Sequence, residues 1–211
     1  MSAPPQFTVG FDLDMTLIDS RPGIAATYRA LVAATGVYVD VDAAAGRLGP
    51  PLEQELRRWF PAERVPEAVS RYRALYREHA IEPSVPLPGA AEAVAAVHER
   101  GGRVLVVTAK RGDLARLHIA HLGLPVDEVT GLAWQEGKAR ALRAAGAVGY
   151  VGDHVADMAA ARAAGVPGVG VATGPCTPAD LLGAGASLVL DDLTGFPTWL
   201  AGIGVGSQQA G

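Results

Sequence analysis

Lysine, cysteine and surplus positive charge are all scarce in this 211-residue chain. Eighteen Lys and Arg face 22 Asp and Glu, a formal charge of −4. That leaves no basic face to displace counterions and argues against a binder of nucleic acid or of anionic membrane surfaces. With Cys176 as the single cysteine, neither an internal disulfide nor a cysteine-built zinc cage can form. The longest apolar runs are broken by Gly and Pro, as in VPGVGVATGP, and fall far short of the ~20 residues that cross a bilayer. The start, MSAPPQF, lacks the basic residues and apolar stretch of a secretion signal, so a cytoplasmic protein is expected. Of the basic residues 16 are Arg, and only Lys110 and Lys138 are Lys. Where Arg is the default cation, a surviving Lys marks a place suited to a compact, mobile ammonium.

What is present is a strand–helix alternation. QFTVGFDLD reads as a buried strand, and RVLVVT (103–108), VGYVG (148–152), VGVAT (169–173) and ASLVL (186–190) follow it. Between them, Ala90, Val94 and Val97 share one helix face. Asp113 is placed to cap a helix carrying Leu114, Leu117 and Leu122, and Asp157 to open MAAARAAG. This pattern predicts an α/β fold: a Rossmann-like parallel sheet with helices on both faces. Residues 20–86 break the alternation. A helix from Pro22 to Gly36, then LEQELRRWF and PEAVSRYRALYREH, predict an all-α insert after the first strand. The proline-rich EPSVPLPG returns the chain to the sheet. The expected organisation is a core of residues 1–19 and 87–200, a helical cap of 20–86 and a frayed tail, 201–211.

In open α/β sheets ligands bind beyond the carboxyl ends of the strands. Those ends carry Asp12-Leu13-Asp14-Met15-Thr16, Thr108-Ala109-Lys110 and Gly152-Asp153, with Asp157 four residues on and Lys138 heading a further helix. Acids at i and i+2 of a strand point to one side. Several carboxylates therefore crowd one rim, where they repel unless a cation sits among them. Mg2+ suits such a site, since it takes one or two carboxylates, a backbone oxygen, waters and a substrate phosphate.

FDLDMTLIDS, VVTAK, GK and VGDHVADM, in this order, resemble the four motifs of the haloacid dehalogenase-like (HAD) phosphohydrolase superfamily. ADMAAARAAGVPGVGVATG and ASLVLDDLTGF are similar to its phosphoglycolate phosphatase-like members, which carry a helical cap. The resemblance implies that Asp12 is the nucleophile that forms an aspartyl-phosphate. Asp14 would be the general acid and then base, with its backbone carbonyl reaching the metal. Thr16 would support the loop, while Thr108 and the Ala109 amide would hold phosphate oxygens. Lys138 would neutralise phosphate and Asp12. Asp153 would ligate Mg2+, and Asp157 would ligate it or position its waters. The expected substrate is a small phosphorylated metabolite.

Two departures stand out from that pattern. Met15 occupies a position where Gly is usual, and the Lys138–Asp153 stretch is short and lacks a proline after the lysine. Lys110 is the rival of Lys138 and sits either at the pocket rim or in a solvated loop. His154 is placed to line the entrance. The cap stretch GRLGPPLEQE offers Arg47 as a contact to the leaving group, with Arg21 at the hinge as second choice; a plain surface arginine is the alternative for each. His118 and His121, at i and i+3, lack a third ligand for zinc. Asp14 counts against a dehalogenase, which has no leaving alkoxide to protonate. The absence of lysine in 20–86 excludes a Schiff-base phosphonatase. A phosphomutase, or a silent HAD fold acting in regulation, stays open as an alternative to a phosphatase.

Overall fold

A computed structural model of the chain describes residues 7–203. The expectations for the extreme N-terminus and for most of the tail fall outside these residues. Six parallel strands form one sheet in the order β5–β4–β1–β6–β7–β8. In the chain they are β1 (Thr8–Phe11), β4 (Arg103–Val107), β5 (Glu128–Thr130), β6 (Ala147–Gly152), β7 (Gly168–Val171) and β8 (Leu188–Leu190). The first, central strand pairs with β4 on one side and β6 on the other, setting Phe11 beside Val106 and Val151. Two further strands, β2 (Ile18–Asp19) and β3 (Val85–Pro86), pair antiparallel where the chain leaves the sheet and returns.

The period-two pattern of β4 shows why both faces are covered. Val104 and Val106 join one apolar cluster with Val9, Phe11 and Val151, whereas Leu105 and Val107 join another with Tyr150 and Leu142. The first cluster is closed by α5 (Ala90–Glu99), α6 (Gly112–His121) and α10 (Phe196–Gly202), with Phe196 packed 5.1 Å from Phe11 between ring centroids. The second is closed by α7 (Glu136–Ala144) and α8 (Val155–Ala164). A short helix, α9 (Pro178–Gly183), sits between β7 and β8.

Residues 21–79 form α1 (Arg21–Thr35), α2 (Val41–Gly46), α3 (Leu52–Leu56) and α4 (Val65–His79), with one 3-10 turn at Ala62–Arg64. Pro22 in the first turn of α1 lacks an N–H where none is needed, and Gly36 ends the helix in the left-handed region. The insert has its own core, Ile24, Tyr28, Leu31, Leu56, Val69 and Tyr72 among others. Leu114 of α6 joins that core and so ties insert to sheet. No described helix is long and apolar enough to cross a membrane.

Several local expectations are corrected. LEQELRRWF holds only five helical residues, Leu52–Leu56, because the chain passes into a turn at Arg57–Trp59 ahead of Pro61. Asp113 is not the N-cap of α6, which Arg111 precedes; its carboxylate takes the Arg111 and Arg77 guanidiniums instead. His154, not Asp157, caps α8: its Nδ1 accepts from Ala156 N while Asp157 accepts from His154 N, a reciprocal pair. Ala201 and Gly202 belong to α10 and not to a tail. The short elements α2, α9 and β5 span too few residues for periodicity to reveal them.

Candidate active site

The site is built where β1, β4 and β6 end. Asp12 N still donates to Val151 O at 2.8 Å, so the strand geometry persists to that residue. The chain then curls, with Leu13 O accepting from the amides of Leu17 and Ile18. The curl puts Met15 at φ 59°, the left-handed region that favours glycine, while burying its side chain. The loop thus keeps a glycine-like torsion although it carries Met. Thr173, after β7, donates to Met15 O at 2.5 Å and ties the curl down.

Oxygens of Asp12, Asp153 and Asp157 come within 4.8 Å of one another, and all three residues are buried. Lys138, fully enclosed at the start of α7, is 2.6 Å from Asp157 Oδ1 and 3.1 Å from Asp12 Oδ1. Asp157 also accepts from the Tyr150 hydroxyl at 3.3 Å and, on its other oxygen, from His154 N. Both its oxygens are therefore engaged by protein donors. Asp153 accepts from Thr16 Oγ1 at 3.0 Å. The next loop crosses close over it at Gly174, where a Cβ would sit 1.8 Å from Asp153 Oδ2. One lysine against three acids leaves the cluster short of positive charge. Burial, followed by the neighbouring carboxylates, pushes Asp12 up to about 7 against the pull of Lys138, and pushes Asp153 well above the carboxylate range. Asp12 Oδ1 has no aligned hydrogen-bond donor. An orphaned buried carboxylate oxygen in an all-oxygen, acid-rich pocket fits a hard divalent cation, to which Asp12 and Asp153 have free lone pairs to give.

Asp14 faces the other way. Its carboxylate is bound by Lys110 Nζ at 2.5 Å and by the Ser20 hydroxyl. Burial would raise its pKa, yet the Lys110 charge and the two hydrogen bonds outweigh burial and hold it below the usual range. Lys110 is thus not a solvated loop residue. Its side chain is only 8% exposed, its ammonium stands 5.1 Å from the centre of the Tyr76 ring, and Asp14 holds its proton tightly. Tyr76 in turn shares a 2.8 Å hydrogen bond with His118, whose burial drives its pKa down to about 3. The two histidines of α6 therefore part company, His118 being spent on Tyr76.

A cavity of about 310 Å³ lies between sheet and insert, lined by Asp12, Asp14, Thr108, Ala109 and Lys110 on the core side. Arg47 lines it from the insert, with its guanidinium bound to both oxygens of Glu55, at 3.1 and 2.6 Å. Arg21 lies outside it, exposed and bound to Asp19. His154, expected at the entrance, is not among its lining residues: it caps α8, with its ring 5.7 Å from that of Trp134 and so close to Gly49 of the insert loop that a Cβ there would come within 2.8 Å of it. The sequence reading missed Ser20, Tyr76, Glu55 and Trp134. Ser20 ends the first motif and was within reach of it; the other three depend on how the insert folds back.

The residues matched by a family profile described as haloacid dehalogenase-like hydrolase are 9–171. The chain belongs to the haloacid dehalogenase-like hydrolase family. A phosphoglycolate phosphatase of Caulobacter vibrioides is 31% identical over 202 residues, 84% of each chain. The tyrosine-protein kinase PtkA of Mycobacterium tuberculosis is 33% identical over 121 residues, 57% of this chain but only 41% of its own length. Among solved structures, the haloacid dehalogenase-like family protein SP0104 from Streptococcus pneumoniae superposes with a TM-score of 0.80 at 22% identity, covering 93% of this chain and 97% of that one. A hydrolase from Pseudomonas syringae gives 0.75 at 22% identity, covering 93% and 99%. These likenesses carry the fold of a HAD-family hydrolase over nearly the whole described chain.

Proposed function

We infer that the protein is a Mg2+-dependent phosphatase that hydrolyses a small phosphate monoester through an aspartyl-phosphate on Asp12. The observation that carries this reading is the orphaned Asp12 carboxylate oxygen beside Lys138 in a buried acidic cluster that opens on a cavity. The phosphatase and pyrophosphatase names among the relatives agree with it. When bound, Mg2+ supplies charge that lets an anionic carboxylate approach an anionic phosphate. Asp12 and Asp153 would hold it, with Asp14 contributing only through its backbone carbonyl and Asp157 orienting the site.

Asp12 attacks phosphorus, the P–O ester bond breaks, and the departing alkoxide takes a proton from Asp14. Water then attacks the aspartyl-phosphate and gives its proton to Asp14, releasing inorganic phosphate and restoring Asp12. Asp14 as held by Lys110 and Ser20 is an ionised carboxylate, the state needed for the second half. Phosphoryl oxygens entering beside Thr108 and Ala109 would draw the Lys110 ammonium from Asp14 and raise that carboxylate's proton affinity for the first half. Lys138 stays with Asp12 and, together with the cation, would favour the anionic form of the nucleophile. The insert acts as a lid, residues 20–86 forming the cap and 1–19 with 87–200 the catalytic core. Hydrolysis of p-nitrophenyl phosphate, with and without Mg2+, by wild type and Asp12→Asn tests the reading. Activity confined to wild type with Mg2+ is expected, and equal turnover by the two proteins contradicts it.

A further inference from the structure

The wall that the insert adds to the cavity differs in chemistry from the wall added by the sheet. Tyr28 of α1, Tyr72 and Tyr76 of α4, Leu48 of the loop between α2 and α3, Leu52 at the start of α3, and Leu114 of α6 line it. The chain has five tyrosines, and three of them meet here. The rings of Tyr28 and Tyr72 lie 4.8 Å apart between centroids and those of Tyr72 and Tyr76 5.7 Å. Tyr76 spends its hydroxyl on His118. Among the described residues, no hydrogen bond engages the hydroxyls of Tyr28 and Tyr72, and neither oxygen is sealed from the cavity as an orphan.

The charges on the lining are already matched. Arg47 is held by Glu55 at 2.6 Å, Arg73 by Glu53 at 2.8 Å, Arg111 by Asp113 at 2.8 Å and Lys110 by Asp14. The insert itself presents two arginines and two glutamates to the cavity, a balance of zero. A second anionic group on the substrate, such as the carboxylate of a phosphorylated hydroxy acid or the second phosphate of a pyrophosphate, would shed water against tyrosine and leucine. No unpaired cation on this wall would meet it. An uncharged ring meets what the wall offers: aromatic faces, branched apolar side chains and free phenol hydroxyls. At interior packing density 310 Å³ holds the phosphate and on the order of ten further non-hydrogen atoms.

Resting on the phosphatase reading of the site, we propose that the substrate is the phosphate monoester of an uncharged, ring-bearing alcohol. Its ring lies among Tyr28, Tyr72 and Leu114, and a hydroxyl or carbonyl on it is met by a tyrosine hydroxyl. Glu55 is the specificity-determining residue that keeps anionic leaving groups out, because it occupies the one guanidinium, Arg47, that the loop carries to the cavity.

Calorimetric binding of two inert probes to the Mg2+-loaded protein tests this, beside kcat/KM for 2-phenylethyl phosphate, phosphoglycolate and acetyl phosphate. Benzylphosphonate is expected to bind about tenfold or more tighter than phosphonoacetate, and 2-phenylethyl phosphate to exceed phosphoglycolate by a similar factor through KM. Glu55→Gln, which releases Arg47, is expected to tighten phosphonoacetate about fivefold and leave benzylphosphonate within about twofold. Leu48→Lys, a substitution on a half-exposed loop, adds an unpaired cation and is expected to do the same if Glu55→Gln fails to fold. Phosphonoacetate binding as tightly as benzylphosphonate to wild type, or unmoved by either variant, overturns the proposal. Acetyl phosphate carries no ring and reads the hydrolytic chemistry alone. Its survival intact with the binding order preserved would count against the phosphatase reading while supporting the recognition proposed here.

Discussion

Replacing Lys138 by Ala removes the single ammonium inside the acidic cluster. Lys138 is 1% exposed, lies 2.6 Å from Asp157 and 3.1 Å from Asp12, and so gains almost nothing from solvent screening. Breaking a buried pair by deleting one partner costs roughly 3–5 kcal/mol, because the remaining charge is left buried and unmatched. At about 2.1 cal/mol/K per residue the unfolding entropy of 211 residues is about 0.44 kcal/mol/K. The substitution should therefore lower Tm by about 7–11 °C in chelator near neutral pH. Added Mg2+ should recover part of that loss, since a divalent cation relieves the same repulsion, but should not restore turnover. Differential scanning fluorimetry with and without Mg2+, alongside a phosphate-release assay, reads both. A Tm within about 2 °C of wild type in chelator would refute the reasoning, since it would mean that the three carboxylates do not need the ammonium.

Three other outcomes follow from the same geometry. Asp14→Asn should still form phosphoenzyme from acetyl phosphate, whose leaving group needs little protonation, but should clear it about 100-fold more slowly or worse in acid-quench time courses; clearance at the wild-type rate would remove Asp14 from the base role. In chelator, Asp12 titrates near 7 when folded against 3.8 when unfolded, so the folded state holds a proton that the unfolded state has lost between those values. Stability should then fall as pH climbs from about 4 to about 7, with Mg2+ raising Tm more near pH 7.5 than near pH 5; a flat or rising Tm across that window in chelator would contradict this. Gly174→Ala should weaken Mg2+ binding about tenfold or more, because its Cβ would fall 1.8 Å from Asp153 Oδ2; calorimetric titration with Mg2+ would expose an unaffected site.

The positions legible in sequence are those whose neighbours are fixed by a strand end. Asp12, Thr108 and Asp153 each follow an apolar strand directly, so sheet topology alone brings them to one rim. Lys138 was legible for a different reason, as one of two lysines in an arginine-rich chain. Lys110 shows where such reasoning stops. Whether it faces solvent or Asp14 depends on the Tyr76 ring, which reaches it from α4, 34 positions earlier, only after the insert has folded. Arg47 lines the cavity, but Glu55, eight residues on, claims its guanidinium, and no motif spacing marks that pair. Met15 stands where Gly is usual, yet the curl holds a left-handed torsion there, with Thr173 anchoring the carbonyl. The cost of that torsion, about 1–2 kcal/mol, is offset by burying the thioether side chain.

Chemical trapping of the covalent intermediate bears most directly on the central claim. Protein mixed with acetyl phosphate and Mg2+ is quenched in acid and reduced with borohydride, which converts an acyl phosphate to an alcohol. Peptide mass spectrometry then locates the change. The account predicts homoserine at position 12, dependent on both substrate and Mg2+. Release of inorganic phosphate with position 12 unmodified, or with the modification at Asp14 or Asp153, would contradict it.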